Sequence, residues 1–417
     1  MNKILDLFSQ YKGLRREVYV LFFGRIVTNL GSMVYPMLTM ILSQKLGMDA
    51  ANISVLVVAA MVVMMPASLL GGVLADRFNK KMVIVWCDCV SVACYIVCGI
   101  IPMSYVTIVL MFLAALFQTM EHPSYSALLA DLTATKDRQR AYSLLYLGGN
   151  LGLVLSPTLA GLLFKNYLWL SFLISGVAIG LSTVLIYYRI RNVEPEPDEG
   201  EEAVYQKGRS GESLWSILRG CRTVLLYLLI GALYSSAYGQ YNFLMPLDMG
   251  RVHGENGALI FGTVSSLNCI VVVIFTPLIT RLFRRLTELK KLLLGLLLIA
   301  AGYVVFLNLL GHVPAYYAAM LLFTWGEIFA TIMDGPYLTS RIPASHRGRV
   351  NSVMGVAGGV ITAVCNLTVG HIYEGLSPVA AWTLVLCLLA CALVLCLILI
   401  PADKRAFPKL YEKSGEK

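Results

Sequence analysis

Charge is scarce in this chain. Only 14% of its residues are Asp, Glu, Lys or Arg, against about 25% in an ordinary soluble domain. That shortage excludes a normal water-facing surface and a disordered, self-repelling chain. Histidine is rarer still, with 5 copies. The 10 cysteines all fall in or at the ends of apolar runs, so they read as small core residues rather than a disulfide framework. Cys87 and Cys89 stand two apart, on different helix faces, which is not metal-pair spacing. No nucleophile–base pair, metal cluster or phosphate-cradling loop is present, and the Gly-rich segments lie inside apolar runs. No enzyme, metal centre or cofactor is therefore expected. The first 17 residues are polar and mixed in charge, without a small-residue cleavage site, so a cleaved signal is not expected either.

What is abundant is apolar. The chain is 58% hydrophobic over 417 residues, with a mean hydropathy of +0.74. The apolar runs are helix-length, not strand-length. Twelve of them recur, at approximately 18–44, 52–75, 82–101, 105–129, 141–164, 168–189, 222–247, 257–281, 291–310, 315–339, 350–372 and 379–400. Each approaches or exceeds the roughly 20 residues a helix needs to cross hydrocarbon. The expected class is an all-α integral membrane protein with twelve transmembrane helices.

Orientation follows from the cations. With the N-terminus inside, 29 of the 33 Lys and Arg residues lie on inner segments. Only Lys45, Lys165 and Arg251 lie outside, and Arg25 sits within a span. The positive-inside rule then puts both termini in the cytoplasm. It also accounts for the net charge of +9 without a nucleic-acid partner. The one long connection, Ile190 to Leu218, is acidic at first and contains prolines and glycines, which marks a solvated linker. Ser213 to Arg219 is a short amphipathic stretch suited to the inner membrane face. The expected division is an N-terminal bundle over 1–190, a linker over 191–218 and a C-terminal bundle with a short tail over 219–417.

The halves repeat weakly. An offset of 209 places Arg140 on Arg349, Ser143 on Ser352, Gly149 on Gly358 and Gly161 on Gly370. Glu121-His122-Pro123 in span four faces Asp334-Gly335-Pro336 in span ten. Parallel six-span repeats are a known transporter architecture.

The stretch Gly71-Gly72-Val73-Leu74-Ala75-Asp76-Arg77-Phe78-Asn79-Lys80-Lys81 joins spans two and three. It resembles the loop between the second and third helices of major facilitator superfamily transporters, roughly G-x-L-A-D-R-x-G-R-K. Asn79 stands where the family has glycine, and its tolerance of left-handed backbone preserves the turn. The resemblance implies two pseudo-symmetric six-helix bundles that rock about a midplane site. It also gives Gly72, Asp76, Arg77, Lys81 and Asp131 a mechanical role. Asp131 is placed to meet Arg77 or Lys81, and Asp76 to meet the start of span eleven near Asn351, latching the outward-facing state. Pro277 to Arg281, the second copy, keeps a cation and loses the acid. In span five, Gly152, Ser156, Pro157 and Gly161 resemble the antiporter-associated pattern G-x-x-x-G-P-x-x-G-G, with Ser156 and Ala160 replacing glycines. Small residues at this spacing let helices approach closely, and the proline bends the span. The fourth span lacks the arginine usual in such exporters, and Arg25 is the candidate to replace it. The likeness implies the drug/proton antiporter branch, that is, multidrug-type efflux from a bacterial-type inner membrane by a monomer.

Acids inside the membrane are costly and mark functional sites. Four of the 24 carboxylates fall within the expected spans, namely Asp88, Glu121, Glu327 and Asp334. Low-dielectric surroundings tune such groups toward proton exchange near neutral pH. Arg25 and Glu121 match in depth, so they are expected to pair, either permanently or until Glu121 takes a proton. Arg25, Asn29 and Ser32 share a helix face at i, i+4, i+7. Glu327, Thr331 and Asp334 form the same stripe on span ten, with Glu327 near the midplane as a substrate or proton site and Asp334 nearer the cytoplasm. Asp88 is assigned to the loop network. His122 is read as a structural histidine, and His371 likewise. Tyr234, Tyr238 and Tyr241 share a face of span seven, beside Asn242, and suit an amphipathic or cationic ligand. Tyr241 also fits an interfacial belt. Gln118 and Trp325 are candidates for the cavity wall. The expected partners are a small-molecule substrate, the proton and the lipid bilayer. A carrier of one sugar, amino acid or siderophore coupled to protons or sodium, and a non-transporting sensor or scaffold, are the rival readings.

Overall fold

The computed structural model describes residues 11–133, 135–190, 222–283, 285–341 and 344–412. Among them the chain is helical throughout. The helices are α1 (Arg16–Leu30), α2 (Ala50–Arg77), α3 (Lys80–Ile100), α4 (Tyr105–Asp131), α5 (Thr135–Leu153), α6 (Ser156–Phe164), α7 (Leu168–Arg189), α8 (Arg222–His253), α9 (Asn256–Leu282), α10 (Glu288–Asn308), α11 (Val313–Arg341), α12 (Ala344–Gly375), α13 (Pro378–Ala406) and the short α14 (Pro408–Glu412). Ten spans are long and apolar enough to cross a membrane. The other two expected spans, α8 and α12, are each 32 residues long. Tyr, Ser, Gln and Asn dilute the hydropathy of α8, and the first part of α12 has side chains outside the described residues.

Helix ends follow local chemistry. Asn79 has φ −61° and ψ 114°, and its side chain accepts from Met82 N. It therefore caps α3 in extended backbone, and the left-handed turn expected there does not form. Ser104 and Thr107 close a capping box on α4. Ser377 caps α13, with Pro378 at its first position. Four glycines are left-handed among the described residues, and two of them lead into long helices, Gly47 (φ 68°) before α2 and Gly254 (φ 56°) before α9.

Two expected spans are broken rather than continuous. Span one leaves the α-helix after Leu30 and resumes as a 3₁₀ turn at Tyr35–Met37, a short helix at Leu38–Met40 and a π-turn at Ile41–Lys45. Gly31 is pressed onto α7, where an added Cβ would lie 2.3 Å from Ala178 Cβ. The Ser175 hydroxyl donates to the Gly31 carbonyl at the break, which also accepts from Met33 N at 2.7 Å. Span five breaks between α5 and α6, with Pro157 at the start of α6.

Two compact units form. One comprises Met1–Gly47, Ala59–Gly200 and Glu255–Ile270, and the other Met48–Val58, Glu201–Gly254 and Val271–Lys417. The start of α9 thus groups with the N-terminal helices and the start of α2 with the C-terminal ones, an exchange of helix ends that the simple division by halves lacks. The linker, including Ser213 to Arg219, lies outside the described residues. Close glycine crossings hold each unit, as expected where lipid removes the usual hydrophobic drive between helices. In the second unit, α10 and α11 cross back to back, an added Gly326 Cβ meeting Gly295 O at 2.6 Å. Large apolar side chains such as Trp86 and Ile100 remain exposed, 69% and 74%, as a lipid-facing surface requires.

Candidate functional site

The first unit gathers its intramembrane charges between α1, α3, α4 and α7. Asp88 on α3 is 5% exposed and accepts from Thr183 Oγ1 on α7 at 2.6 Å. Its carboxyl group also meets that of Glu121 on α4. Two carboxyl groups so placed repel each other when both are ionised. Arg25 acts on Glu121 through its field. Among the described residues no ion pair closes between them, and the guanidinium lies 5.7 Å from the centre of the Tyr125 ring. Tyr125 is itself anchored, donating to Leu21 O at 2.8 Å.

This corrects the sequence reading twice. The carboxylate partner of Glu121 is Asp88, not Arg25. Asp88 belongs to this buried cluster, not to the loop after α2. Depth along the chain matched Arg25 to Glu121, but helix rotation decides contact, and rotation is invisible to a count of residues. Asn29 donates to Gly149 O at 3.0 Å and fixes α1 on α5. Ser32 lies beyond the end of α1 and donates to Thr28 O at 3.3 Å, so the expected i, i+4, i+7 face stops at Asn29. Gln118 turns toward α3 and bonds the Tyr95 hydroxyl. His122 is exposed.

The second unit holds an aromatic and acidic site between α8 and α11. Tyr238 OH donates to Glu327 Oε1 at 3.0 Å. Tyr238 lies 5.8 Å from Tyr234 and 6.4 Å from Tyr241, ring centre to ring centre, and stacks on Phe323 at 5.2 Å. Tyr303 on α10 packs 5.5 Å from Phe323 and donates to Ala237 O at 2.8 Å. Tyr234 and Tyr238 are half-buried, Tyr241 is buried, and Asn242 is half-buried beside it. The structure thus brings the tyrosine stripe and Glu327 together, and adds Phe323 and Tyr303, which the sequence reading omitted because they look like ordinary core. Trp325 does not join them. It packs with Val272, Ile279, Ile328 and Phe329, 5.8 Å from Phe275. Thr331 is exposed, and the side chain of Asp334 lies outside the described residues. His371 is exposed, with Nδ1 2.8 Å from Leu367 O.

At the loop after α2, Lys80 pairs with Asp131 at 2.6 Å. Asp131 was expected to meet Arg77 or Lys81. Lys80 starts α3 and Asp131 ends α4, each at the unfavourable end of its own helix dipole, so pairing offsets both. Lys81, one residue around the helix, donates to Ile190 O at 2.9 Å and caps α7. Arg77 is exposed, and the side chains of Asp76 and Asn351 lie outside the described residues. Gly72 has open space where a Cβ would stand, whereas a Cβ on Gly71 would meet Met120 O at 2.3 Å. Gly71 is therefore the glycine that packing requires, and it seats α2 one residue from Glu121.

In the antiporter-like segment, a Cβ on Gly152 would meet Ile26 O at 2.4 Å, and one on Gly161 would meet Ala258 O at 2.5 Å. A Cβ on Gly262 of α9 would in turn meet Pro157 O at 2.2 Å. Thr158 and Ser266 hydroxyls bond at 2.7 Å along the same seam. Ser156 is buried, and its hydroxyl has no hydrogen-bond partner among the described residues.

Two buried acids were not expected inside helices. Asp248 on α8 accepts from Tyr373 at 2.7 Å and from the Trp382 indole. The helix runs past Pro246 to His253, so Asp248 is intrahelical rather than in a loop. Asp403 on α13 pairs with Arg341, both side chains fully buried, and accepts from Tyr337 at 3.0 Å and Tyr411 at 2.6 Å. Such fully satisfied networks fix helix ends in place.

A family model described as the Major Facilitator Superfamily matches residues 21–365. The chain belongs to the major facilitator superfamily. Among relatives, it is 23% identical over 377 residues to the Na(+), Li(+), K(+)/H(+) antiporter of Planococcus maritimus, covering 84% of this chain and 86% of that one. It is 24% identical over 334 residues to the multidrug resistance protein MdtH of Yersinia pestis, covering 78% of each. A crystal structure of the peptide transporter POT with alafosfalin has a TM-score of 0.77 at 18% identity, covering 94% of this chain and 95% of that one. That likeness carries the facilitator fold. The chain is thus a multi-pass membrane transporter.

Proposed function

We propose that this facilitator exports small hydrophobic or amphipathic compounds, cations among them, in exchange for protons. The observation that carries the reading is a division of labour. The Asp88–Glu121 carboxyl pair sits in one unit beside Arg25 and Tyr125, and Glu327 sits in the other, bonded to Tyr238, which packs with Tyr234 and Phe323. A shared-proton acid pair suits coupling, and an acid within an aromatic wall suits an amphipathic cation. The bundles over 1–190 and 219–417, joined by the linker 191–218, are the bodies that would rock in alternating access. The loop from Gly72 to Lys81, with Asp131, is their cytoplasmic latch. The setting is a bacterial-type inner membrane with both termini cytoplasmic, and the working unit is a monomer.

The name of the Planococcus relative supports a second reading, exchange of protons for a monovalent metal cation. One experiment separates the two. Purified protein in proteoliposomes receives an imposed pH gradient, and proton flux is followed on adding lipophilic cations, neutral amphiphiles, sodium or potassium. Flux with several organic compounds supports drug export. Flux with sodium or potassium alone supports the second reading, and flux with one defined metabolite supports a dedicated carrier. Silence across the panel contradicts transport.

A further inference from the structure

The cytoplasmic end of α9 carries a feature that neither site uses. A cavity of about 510 Å³ is lined by Leu278, Arg281, Leu282 and Arg285. Its described lining residues include two guanidinium groups and no acid. Both arginines are exposed. Leu278 and Leu282 are 54% and 69% exposed, and Ile274, one turn deeper, is 60% exposed. Ile274, Leu278 and Leu282 recur at i, i+4 and i+8, so they form one apolar track along the helix. The track leads from the hydrocarbon up to the two arginines.

We propose that this cavity is a binding site for one anionic phospholipid of the inner leaflet. Guanidinium groups recognise phosphate with paired, charge-assisted hydrogen bonds. Arg281 and Arg285 supply two such groups at the level where a cytoplasmic headgroup sits. The exposed apolar track gives an acyl chain a surface to lie on beside the same helix, and this favours a membrane lipid over a free phosphate. Neither Arg281 nor Arg285 is needed for the proton or substrate sites, so the lipid site stands whether or not the export reading does.

The test is lipid binding to the full chain in mild detergent, read by native mass spectrometry during titration. The probes are phosphatidylglycerol, phosphatidylcholine with matched chains, water-soluble glycerophosphate and inorganic phosphate. The expected result is one phosphatidylglycerol bound in preference to phosphatidylcholine. Neither glycerophosphate nor phosphate should displace it. The double variant Arg281→Gln/Arg285→Gln should lose about 30-fold in phosphatidylglycerol affinity, the factor expected for two surface cations, with phosphatidylcholine unaffected. The control Lys404→Gln/Arg405→Gln removes two exposed cations elsewhere and should leave the preference intact. Equal binding of the two lipids would overturn the proposal. So would displacement by glycerophosphate or phosphate, or an equal loss in the control.

Discussion

Gly161 and Gly370 stand 209 positions apart and perform the same task. A Cβ on Gly161 would lie 2.5 Å from the carbonyl oxygen of Ala258, and a Cβ on Gly370 would lie 2.8 Å from that of Ala50. Each glycine lets its helix rest directly on the backbone at the start of another. The same offset places Lys165 on Glu374, and these too have parallel roles. Lys165 binds Glu255 just before α9 at 2.9 Å, and Glu374 accepts from Ala50 N at the start of α2 at 2.9 Å. The weak internal repeat thus preserves a pair of helix seams, with the sign of the clasping charge reversed.

Substitution at these seams should destabilise each unit. Gly161→Ala and Gly370→Ala force contacts that only backbone movement relieves, a cost of roughly 1–3 kcal/mol each. Gly72→Ala faces open space and should be silent apart from helix propensity. Thermal unfolding in detergent checks this. Equal midpoints for Gly161→Ala and Gly72→Ala would contradict the seam.

The Lys165–Glu255 pair gives a pH dependence with a definite sign. The Lys165 hydrogen bond and then its charge hold the Glu255 carboxyl below its ordinary value of 4.5. A depressed acid contributes its stability above its unfolded value and loses it as pH falls through the folded one. Both side chains are exposed, so the effect is small and salt-sensitive. Wild type should exceed Glu255→Gln in melting midpoint near pH 7 at low salt, and the two should converge in acid below that carboxylate range. A gap that widens in acid would contradict the assignment.

The Lys80–Asp131 pair is about a quarter exposed, so it contributes no more than about 1 kcal/mol to stability. If it belongs to a latch, its loss appears in rate. Asp131→Asn should slow turnover while ligand affinity and melting midpoint stay near wild type. Lys81→Gln should act differently, because Lys81 caps α7 and does not meet Asp131. Loss of binding in Asp131→Asn, with turnover intact, would contradict the latch.

Charge recognition in the aromatic site is separable from packing. Glu327→Gln should weaken a monocationic amphiphile at least about 30-fold, the scale for losing one partner of a buried charge pair. A neutral analogue should bind nearly as before. Tyr238→Phe removes one hydrogen bond and should cost about 1 kcal/mol, or roughly fivefold. Tryptophan-fluorescence titration with the cationic and neutral compounds checks both. Equal losses for the two compounds in Glu327→Gln would contradict cation recognition.

Much of the helical architecture was legible in the sequence, because apolar length marks where membrane-crossing helices lie. The tyrosine stripe was legible too, since its spacing fixes its face and Glu327 had few alternatives. Asp88 was misread for a physical reason. Its position near the start of span three suggested the loop, whereas the rotation of α3 turns it toward Glu121 and Thr183. The break at Gly31 was hidden because apolar composition continues across it, whereas Pro157 marks the bend in span five. Asp248 was missed because the expected apolar run ends at 247, one residue short of it, whereas the helix continues through Pro246 to His253. The choice of Lys80 over its neighbours depended on one residue of helix phase, which no composition argument resolves.

The central claim is that Asp88 and Glu121 together hold the exchangeable proton. The direct test is proton release on adding a transported cation to detergent-purified protein in weak buffer, followed with a pH dye. Wild type should release about one proton per ligand bound, as a coupled pair does. Glu121→Gln should release none while still binding ligand, and Asp88→Asn should shift the pH at which release is maximal. Unchanged release in both variants would contradict the account.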